Sequence, residues 1–409
     1  MVEDAQATKA PSEAFVDQFA KIYTPIVFVL ALGVMVVPPI YFQADFSEWF
    51  YRGGELLVVA CPCALIISTP VSIVSAIGNA AKNGVLIKGG TFLEKACEVT
   101  AIAFDKTCTI TEGKPEVAEI QIFHSSKEKV IQILSSLESH TTHPIGKAIV
   151  SYGEQLNVDQ LTICDFKAIP GKGIQGEIEG VTYFAGSTAL FAPEVIADYL
   201  LEAEKLQATG HTIVFLGTNN EILGLVAVAD KIRETSKKAI QQLKAVGIQK
   251  TVMLTGDNAG AAEKISQDAG LTEVRAQLLP EEKVEAIGAL KQTNVTVMVG
   301  NGINDAPALA SADLGIAMGG AGTDTAIETA DIVLMADNLE KLPYTIELSK
   351  RALKIIKQNI LFSLMIKFIA LVFIFPGWLS LWIAVLSDSG AAVLVTLNAL
   401  RLAKNKGKN

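Results

Sequence analysis

The sequence predicts α-helical transmembrane hairpins flanking an α/β part built on a doubly wound parallel sheet. Three observations carry this. Four apolar stretches approach the length a bilayer requires, running roughly over residues 23–42, 55–77, 360–378 and 379–400. Between the second and third lies a long segment of ordinary globular composition, in which short strand-like runs alternate with helical patterns. Half of the 409 residues are hydrophobic, and the mean hydropathy of +0.39 is high for a wholly soluble chain.

The first stretch contains Pro38-Pro39 near its end, and a tight turn at Pro376-Gly377 separates the last two, so the spans form two hairpins. Basic residues orient them. Lys82 and Lys88 follow the second span, Arg351, Lys354 and Lys357 precede the third, and Arg401, Lys404 and Lys406 follow the fourth. The connection over 43–54 carries Asp45, Glu48 and only Arg52. The expectation is a multi-pass plasma-membrane protein with the large insert and both termini cytoplasmic. The N-terminus shows no cleavable signal peptide. A net charge of −9 argues against nucleic-acid binding. Five cysteines, two of them in one apolar stretch, do not form a disulfide framework and point to a reducing compartment or burial in the membrane.

In the insert, strand-like runs over 101–104, 251–254, 295–299, 314–317 and 332–335 alternate with helical patterns over 232–246 and 281–291. The stretch from about 115 to 228 interrupts them with its own helices and strands and reads as an inserted α+β domain. The expected division is therefore 1–80 (linker and first hairpin), 81–115 and 229–355 (the parallel-sheet domain), 116–228 (the insertion) and 356–409 (second hairpin and basic tail).

Several polar pieces follow directly on these runs, where open α/β sheets place ligands. Asp105 ends the first run and is followed by Lys106, Thr107, Cys108 and Thr109. A carboxylate beside a lysine and backbone donors can attack a phosphoryl group and become an aspartyl phosphate. Thr255-Gly256-Asp257 offers a hydroxyl and backbone donors, and Lys283 a cation for the transferred group. The glycine-flexed loop over 300–307, with Asn301, Asn304 and Asp305, supplies the oxygen ligands that Mg²⁺ prefers.

In this order the pieces resemble the haloacid-dehalogenase core of P-type ATPases, whose phosphorylation signature is Asp-Lys-Thr-Gly-Thr. Asp230 and Arg233 also match a family signature at the hinge into this domain. The resemblance implies that Asp105 is the nucleophile, that Thr255 and Lys283 hold phosphoryl oxygens, and that Asp105, the Thr107 carbonyl and position 301 hold Mg²⁺. Two positions depart from the pattern: Asn301 stands where the family has aspartate, and Cys108 where it has glycine. The amide lacks the charge that offsets the ion, so Mg²⁺ affinity should fall, and a β-carbon at position 108 should strain the backbone.

In the insertion, Glu138 precedes His143-Pro144, and Gly171-Lys172-Gly173 follows downstream. A glycine pair permits close approach of a flat base, and a histidine can stack or hydrogen-bond. No Walker-type loop occurs. The set resembles the nucleotide-binding pattern of the heavy-metal branch of P-type ATPases, which implies ATP. His140 and His211 are expected on the surface without a role.

Cys61-Pro62-Cys63 lies near the middle of the second span. Cysteines at i and i+2 of a regular helix face opposite ways, but proline can unwind the turn and turn both thiols to one pocket. Thiolates select Zn²⁺, Cd²⁺, Pb²⁺ or Cu⁺. Lys367 and Asp388 are ionisable residues deep in consecutive antiparallel spans, where such groups are functional candidates and could pair. Met365-Ile366-Lys367 and Ser387-Asp388-Ser389-Gly390 resemble the Zn/Cd/Pb-exporting branch, implying Asp388 as a ligand and Lys367 as a counter-charge. No Thr-Gly-Glu, the family's hydrolytic loop, occurs in the sequence. The resemblance therefore implies the C-terminal part of an exporter, a truncated form lacking the actuator domain and with altered catalytic positions. The alternative is a catalytically impaired membrane module that binds metal or complements a separate N-terminal half.

Overall fold

The computed structural model describes residues 9–404 except Asn258, Ala321 and Phe375. The expected linker at residues 1–7 and Lys406 lie outside that range. Among the described residues, four segments are long and apolar enough to cross a membrane: Pro11–Phe42, Phe46–Lys82, Lys341–Ile374 and Leu381–Leu400. The first runs through Pro25, Pro38 and Pro39 and stops at Gln43, which turns left-handed at φ 54°. Asp45 then caps the next helix, its carboxylate accepting from the amides of Ser47 (2.7 Å) and Glu48 (3.1 Å). That second span is broken into Phe46–Ala60 and Cys63–Lys82, with Cys61 and Pro62 outside both helices.

The larger sheet has seven strands, ordered 85–87, 332–334, 314–318, 296–300, 101–105, 250–254, 273–275. All its pairings are parallel except that of the edge strand Val85–Ile87. The two faces follow strand parity. Ile102 and Phe104 enter one core, with Val297, Val299 and the helix Glu234–Ala245. Ala103 enters the other, with Val252, Met298 and the helix Pro280–Lys291. Burying side chains such as Phe104, fully enclosed, stabilises by about 1.5–3 kcal/mol each.

The smaller sheet has six antiparallel strands, ordered 111–122, 222–232, 212–217, 181–186, 173–178, 164–169. Its first two strands form a ribbon that starts beside Asp105 and pairs Thr111 with Ile232. The expected boundaries at 115/116 and 228/229 fall inside this ribbon, so the backbone hydrogen-bonding is continuous across them.

Two helices belong to both the sheet and the membrane part. Lys341–Ile374 has 34 residues, about 51 Å at 1.5 Å per residue. Its Leu342, Ile346, Ala352 and Ile356 lie in the sheet core, and its Ala370 and Ile374 pack with Val27, Val59 and Ala384 of the membrane part. Cys63–Lys82 does the same through Ile73, Ala76 and Ala80.

Cys108 confirms the expected backbone demand: its φ is 56°, in the left-handed region. Its thiol lies over Gly113 (φ 68°), where a β-carbon would land on the sulfur. Gly113→Ala is therefore expected to cost about 1–3 kcal/mol through overpacking, read as a lower thermal midpoint. The cost should shrink in a Cys108→Gly background; equal losses in both backgrounds would refute the contact.

Candidate functional site

Strand parity and helix periodicity build the first site. Asp105 ends the central strand Ala101–Asp105 on the same face as Ala103, against which the helix Pro280–Lys291 packs. That helix buries Lys283, Ala286, Ile287 and Leu290, one stripe at i, i+3, i+4 and i+7. Lys283 is therefore carried onto the end of the strand. Its Nζ donates to Asp105 Oδ1 (2.6 Å) and Asp305 Oδ1 (2.8 Å). The other oxygen of Asp305 accepts from the amides of Asn301 (3.4 Å) and Gly302 (3.1 Å). Gly300 makes room, since a β-carbon there would come within 2.9 Å of Asp305 Cβ.

Thr255 follows the neighbouring parallel strand, whose Leu254 pairs with Asp105. It is buried, and its hydroxyl accepts from the Asp257 amide (3.2 Å). Asp257 is ion-paired to Lys106. Asn301 is half-buried, whereas Thr107 and Asn304 are exposed. Burial first, then the facing Asp305, pushes the Asp105 carboxyl up to about 6, against the pull of Lys283. Burial works to lower the Lys283 ammonium, but the two carboxylates outweigh it and hold it above its ordinary value. Burial and then Asp230 push the Cys108 thiol up, while Arg233 and a hydrogen bond with Asn301 oppose them. The two positions that depart from the family pattern thus touch each other.

Two carboxylates share one ammonium here, leaving surplus negative charge. The candidate donors Asp105, the Thr107 carbonyl and the Asn301 amide are all oxygens, so the residues fit Mg²⁺.

The smaller sheet frames a cavity of about 660 Å³ lined by Glu138, His143, Gly171 and Gly173. Glu138 ends the helix Lys127–Glu138 and is 8% exposed. Burial raises its carboxyl, and the Thr141 hydroxyl, donating at 2.9 Å, opposes the shift. His143 caps the helix Pro144–Gln155, its Nδ1 accepting from the Ile145 amide (3.3 Å). The neutral ring then carries its proton on Nε2. Gly173 and Gly186 face each other across paired strands, and a β-carbon on either would strike the opposite backbone. His140 is exposed, as expected, but it lines the cavity and stacks on Phe166 at 5.2 Å. Only the fold could reveal this, because Phe166 lies on a distant strand. His211 instead sits beside Thr209 (3.0 Å) and does not itself line this cavity, although the next residue, Thr212, does.

In the membrane part, Cys61, Cys63 and Asp388 place their ligand atoms within 4.8 Å of one another. The broken helix at Pro62 turns both sulfurs to one side. Here they are joined as a disulfide, a correction to the expectation of free thiols; close approach allows either state, and reduction yields two thiolates beside Asp388. Lys367, 8% exposed, donates to Asp388 Oδ1 (3.0 Å), the Val59 carbonyl (3.0 Å) and the Cys61 carbonyl. The carbonyls are free to accept because the helix stops there. Sequence reading passed over Glu55, which is 1% exposed with Oε1 unpartnered among the described residues. It also passed over Asn359, which donates to the Val395 carbonyl (3.1 Å) and accepts from Asn398 (2.8 Å), cross-linking the last two spans. Both stand at the edge of an apolar run, at the start of 55–77 and just before 360–378, where a polar residue gives no distinctive signal.

A family model described as haloacid dehalogenase-like hydrolase matches residues 99–313. A probable cadmium-transporting ATPase of Staphylococcus aureus (strain MRSA252) is 52% identical over 417 residues, covering 100% of this chain and 57% of its own length. A zinc/cadmium/lead-transporting P-type ATPase of Escherichia coli (strain K12) is 42% identical, covering 99% of this chain and 55% of its own. The crystal structure of a zinc-transporting PIB-type ATPase in the E2.Pi state superposes with a TM-score of 0.87 at 42% identity, covering 98% of this chain and 66% of that one. The chain belongs to the haloacid dehalogenase-like hydrolases, and the relatives it resembles over its whole length are cadmium- and zinc-transporting P-type ATPases. It spans about half the length of the curated relatives it matches.

Lys283→Met leaves Asp105 and Asp305 facing each other without their shared cation. Breaking such a buried pair costs about 3–5 kcal/mol, so a lower thermal midpoint is expected for the purified chain. Asp305→Asn, which retains a partner for Lys283, should cost less; the reverse order would contradict this assignment.

Proposed function

We propose that this chain carries the phosphorylation, nucleotide-binding and metal-carrying parts of an ATP-driven exporter of Zn²⁺, Cd²⁺ or Pb²⁺ across the plasma membrane. The single observation that carries it is Lys283 Nζ held at 2.6 Å from Asp105 Oδ1 at the carboxyl end of the central strand. A cation there supports the reading, because a phosphoryl group bound to Asp105 would develop charge beside it.

In this reading ATP lies with its base in the Glu138–His143 cavity and its triphosphate reaching along the ribbon. An Asp105 oxygen bonds to the γ-phosphorus, the bond to the β,γ-bridging oxygen breaks, and ADP leaves. Lys283 and the Thr255 hydroxyl hold non-bridging oxygens, with Gly256 and Asp257 shaping the loop and Lys106 tying it down. Mg²⁺, held by Asp105, the Thr107 carbonyl and Asn301, would supply charge neutralisation for the phosphoryl group. Asp305 keeps Lys283 aimed, and Asn304 lies at the rim. The cargo cation takes Cys61, Cys63 and Asp388, and its charge repels the Lys367 ammonium and displaces it from Asp388. Its return as the counter-charge helps to release the ion. The helices Cys63–Lys82 and Lys341–Ile374 link the two events, with the sheets on the cytoplasmic side. Hydrolysis of the aspartyl phosphate falls, in this reading, to the part of the relatives that this chain does not span.

One observation favours a second reading, metal binding without turnover: Asn301 is a neutral amide in contact with Cys108. Incubation with [γ-³²P]ATP separates the two. Acid-stable label that disappears in Asp105→Asn supports export chemistry, and Asn301→Asp should lower the Mg²⁺ needed by about tenfold, some 1.4 kcal/mol. No label at any Mg²⁺ concentration, in wild type or in Asn301→Asp with Cys108→Gly, would leave the second reading. Separately, the reduced chain should bind Cd²⁺ tightly, and Cys61→Ser with Cys63→Ser should abolish that binding in equilibrium dialysis.

A further inference from the structure

Hydroxyls inside the membrane helices have a usual occupation. Ser72 donates to the Ser68 carbonyl (2.7 Å), Ser387 to Ala384 (2.8 Å) and Thr396 to Ala392 (2.8 Å). Such back-bonding satisfies a polar group where no water is available. Ser363 breaks the pattern. It is 1% exposed, and its Oγ has no partner among the described residues. Thr69 shares that condition on the helix Cys63–Lys82, but only Ser363 of the two borders a void.

That void is small. It is lined by Val59, Ser363, Lys367, Ala370, Ser387 and Asp388, among others, and measures about 10 Å³, roughly the room of one water-sized species. Ser363 precedes Lys367 by one helical turn and so shares its face. The void therefore has the Lys367–Asp388 pair on its wall, and Asp388 is also the carboxylate that meets Cys61 and Cys63. A hydroxyl left buried and unbonded is unfavourable, so the native fold holds it there at a loss.

The coordination number supplies the complement. Zn²⁺ and similar ions bound by sulfur and carboxylate take four ligands in a tetrahedron. Cys61, Cys63 and Asp388 provide three. We propose that Ser363 Oγ is the fourth ligand of the transported cation; this rests on those three residues holding it. When the cation displaces Lys367 from Asp388, the ion moves to the carboxylate bordering the void, and Ser363 meets it from the same helix face. A neutral hydroxyl adds a hard donor without adding charge. It thereby favours tetrahedral divalent ions over Cu⁺, for which two thiolates suffice.

The test uses the full chain, purified in detergent and reduced with a phosphine, titrated with Zn²⁺ and with Cu⁺ against chromophoric chelators. Ser363→Ala should weaken Zn²⁺ binding by about tenfold and leave Cu⁺ binding within about twofold. Its metal-free thermal midpoint should stay level or rise, because the lost hydroxyl had no partner. Ser363→Cys should raise the thiolate-to-Cd²⁺ charge-transfer absorbance by about half, as two sulfurs become three. Unchanged Zn²⁺ affinity in Ser363→Ala, equal losses for Zn²⁺ and Cu⁺, or a two-thiolate spectrum in Ser363→Cys would each overturn the assignment. Retention of tight Zn²⁺ binding by Cys61→Ser with Cys63→Ser would overturn the underlying site instead.

Discussion

One ammonium shared between two buried carboxylates organises the sheet-bearing half of this molecule. Lys283, Asp105 and Asp305 come from three separate segments, and each is less than a tenth exposed. None of the three charges could be buried alone, because desolvation would neutralise it. The strand that ends at Asp105, the helix that starts before Lys283 and the loop that closes at Asp305 must therefore arrive together. Net charge stays negative, so the cluster is satisfied only in part and remains open to a cation. A site completed by its own side chains would have no such demand.

The membrane part repeats the device at lower dielectric. Lys367 is buried inside an apolar bundle, where Asp388 and two carbonyls released by the Cys61-Pro62 break accept from its Nζ. Removing the proline would restore the helical ladder, withdraw those carbonyls and leave the ammonium poorly solvated. The kink is thus needed twice, once to turn the sulfurs and once to hold the lysine.

These two charged centres are joined by continuous helix rather than by loops. Cys63 begins one helix and Lys367 lies on another, and both helices end in the core under the large sheet. A packed core resists compression, so displacement at one end is carried along the shafts. Asn79, which donates to the Leu402 carbonyl (2.7 Å), and Asn359 tie the shafts to the last span.

The spans, the parallel sheet and most of the chemistry-bearing residues were legible in the sequence, because they rest on local signals: apolar length, strand-to-loop exits, and ionisable residues in apolar runs. Asp105, Lys283, the cysteine pair and the Lys367–Asp388 pairing all follow from such signals. Asp305 as the second arm on Lys283, His140 stacked on Phe166, the contact between Cys108 and Asn301, the joined state of Cys61 and Cys63, and the unspent hydroxyl of Ser363 did not. Each depends on which side chains from distant segments meet and which are left without a partner. Composition and periodicity determine what an element is and which face it buries; only packing decides what stands opposite that face.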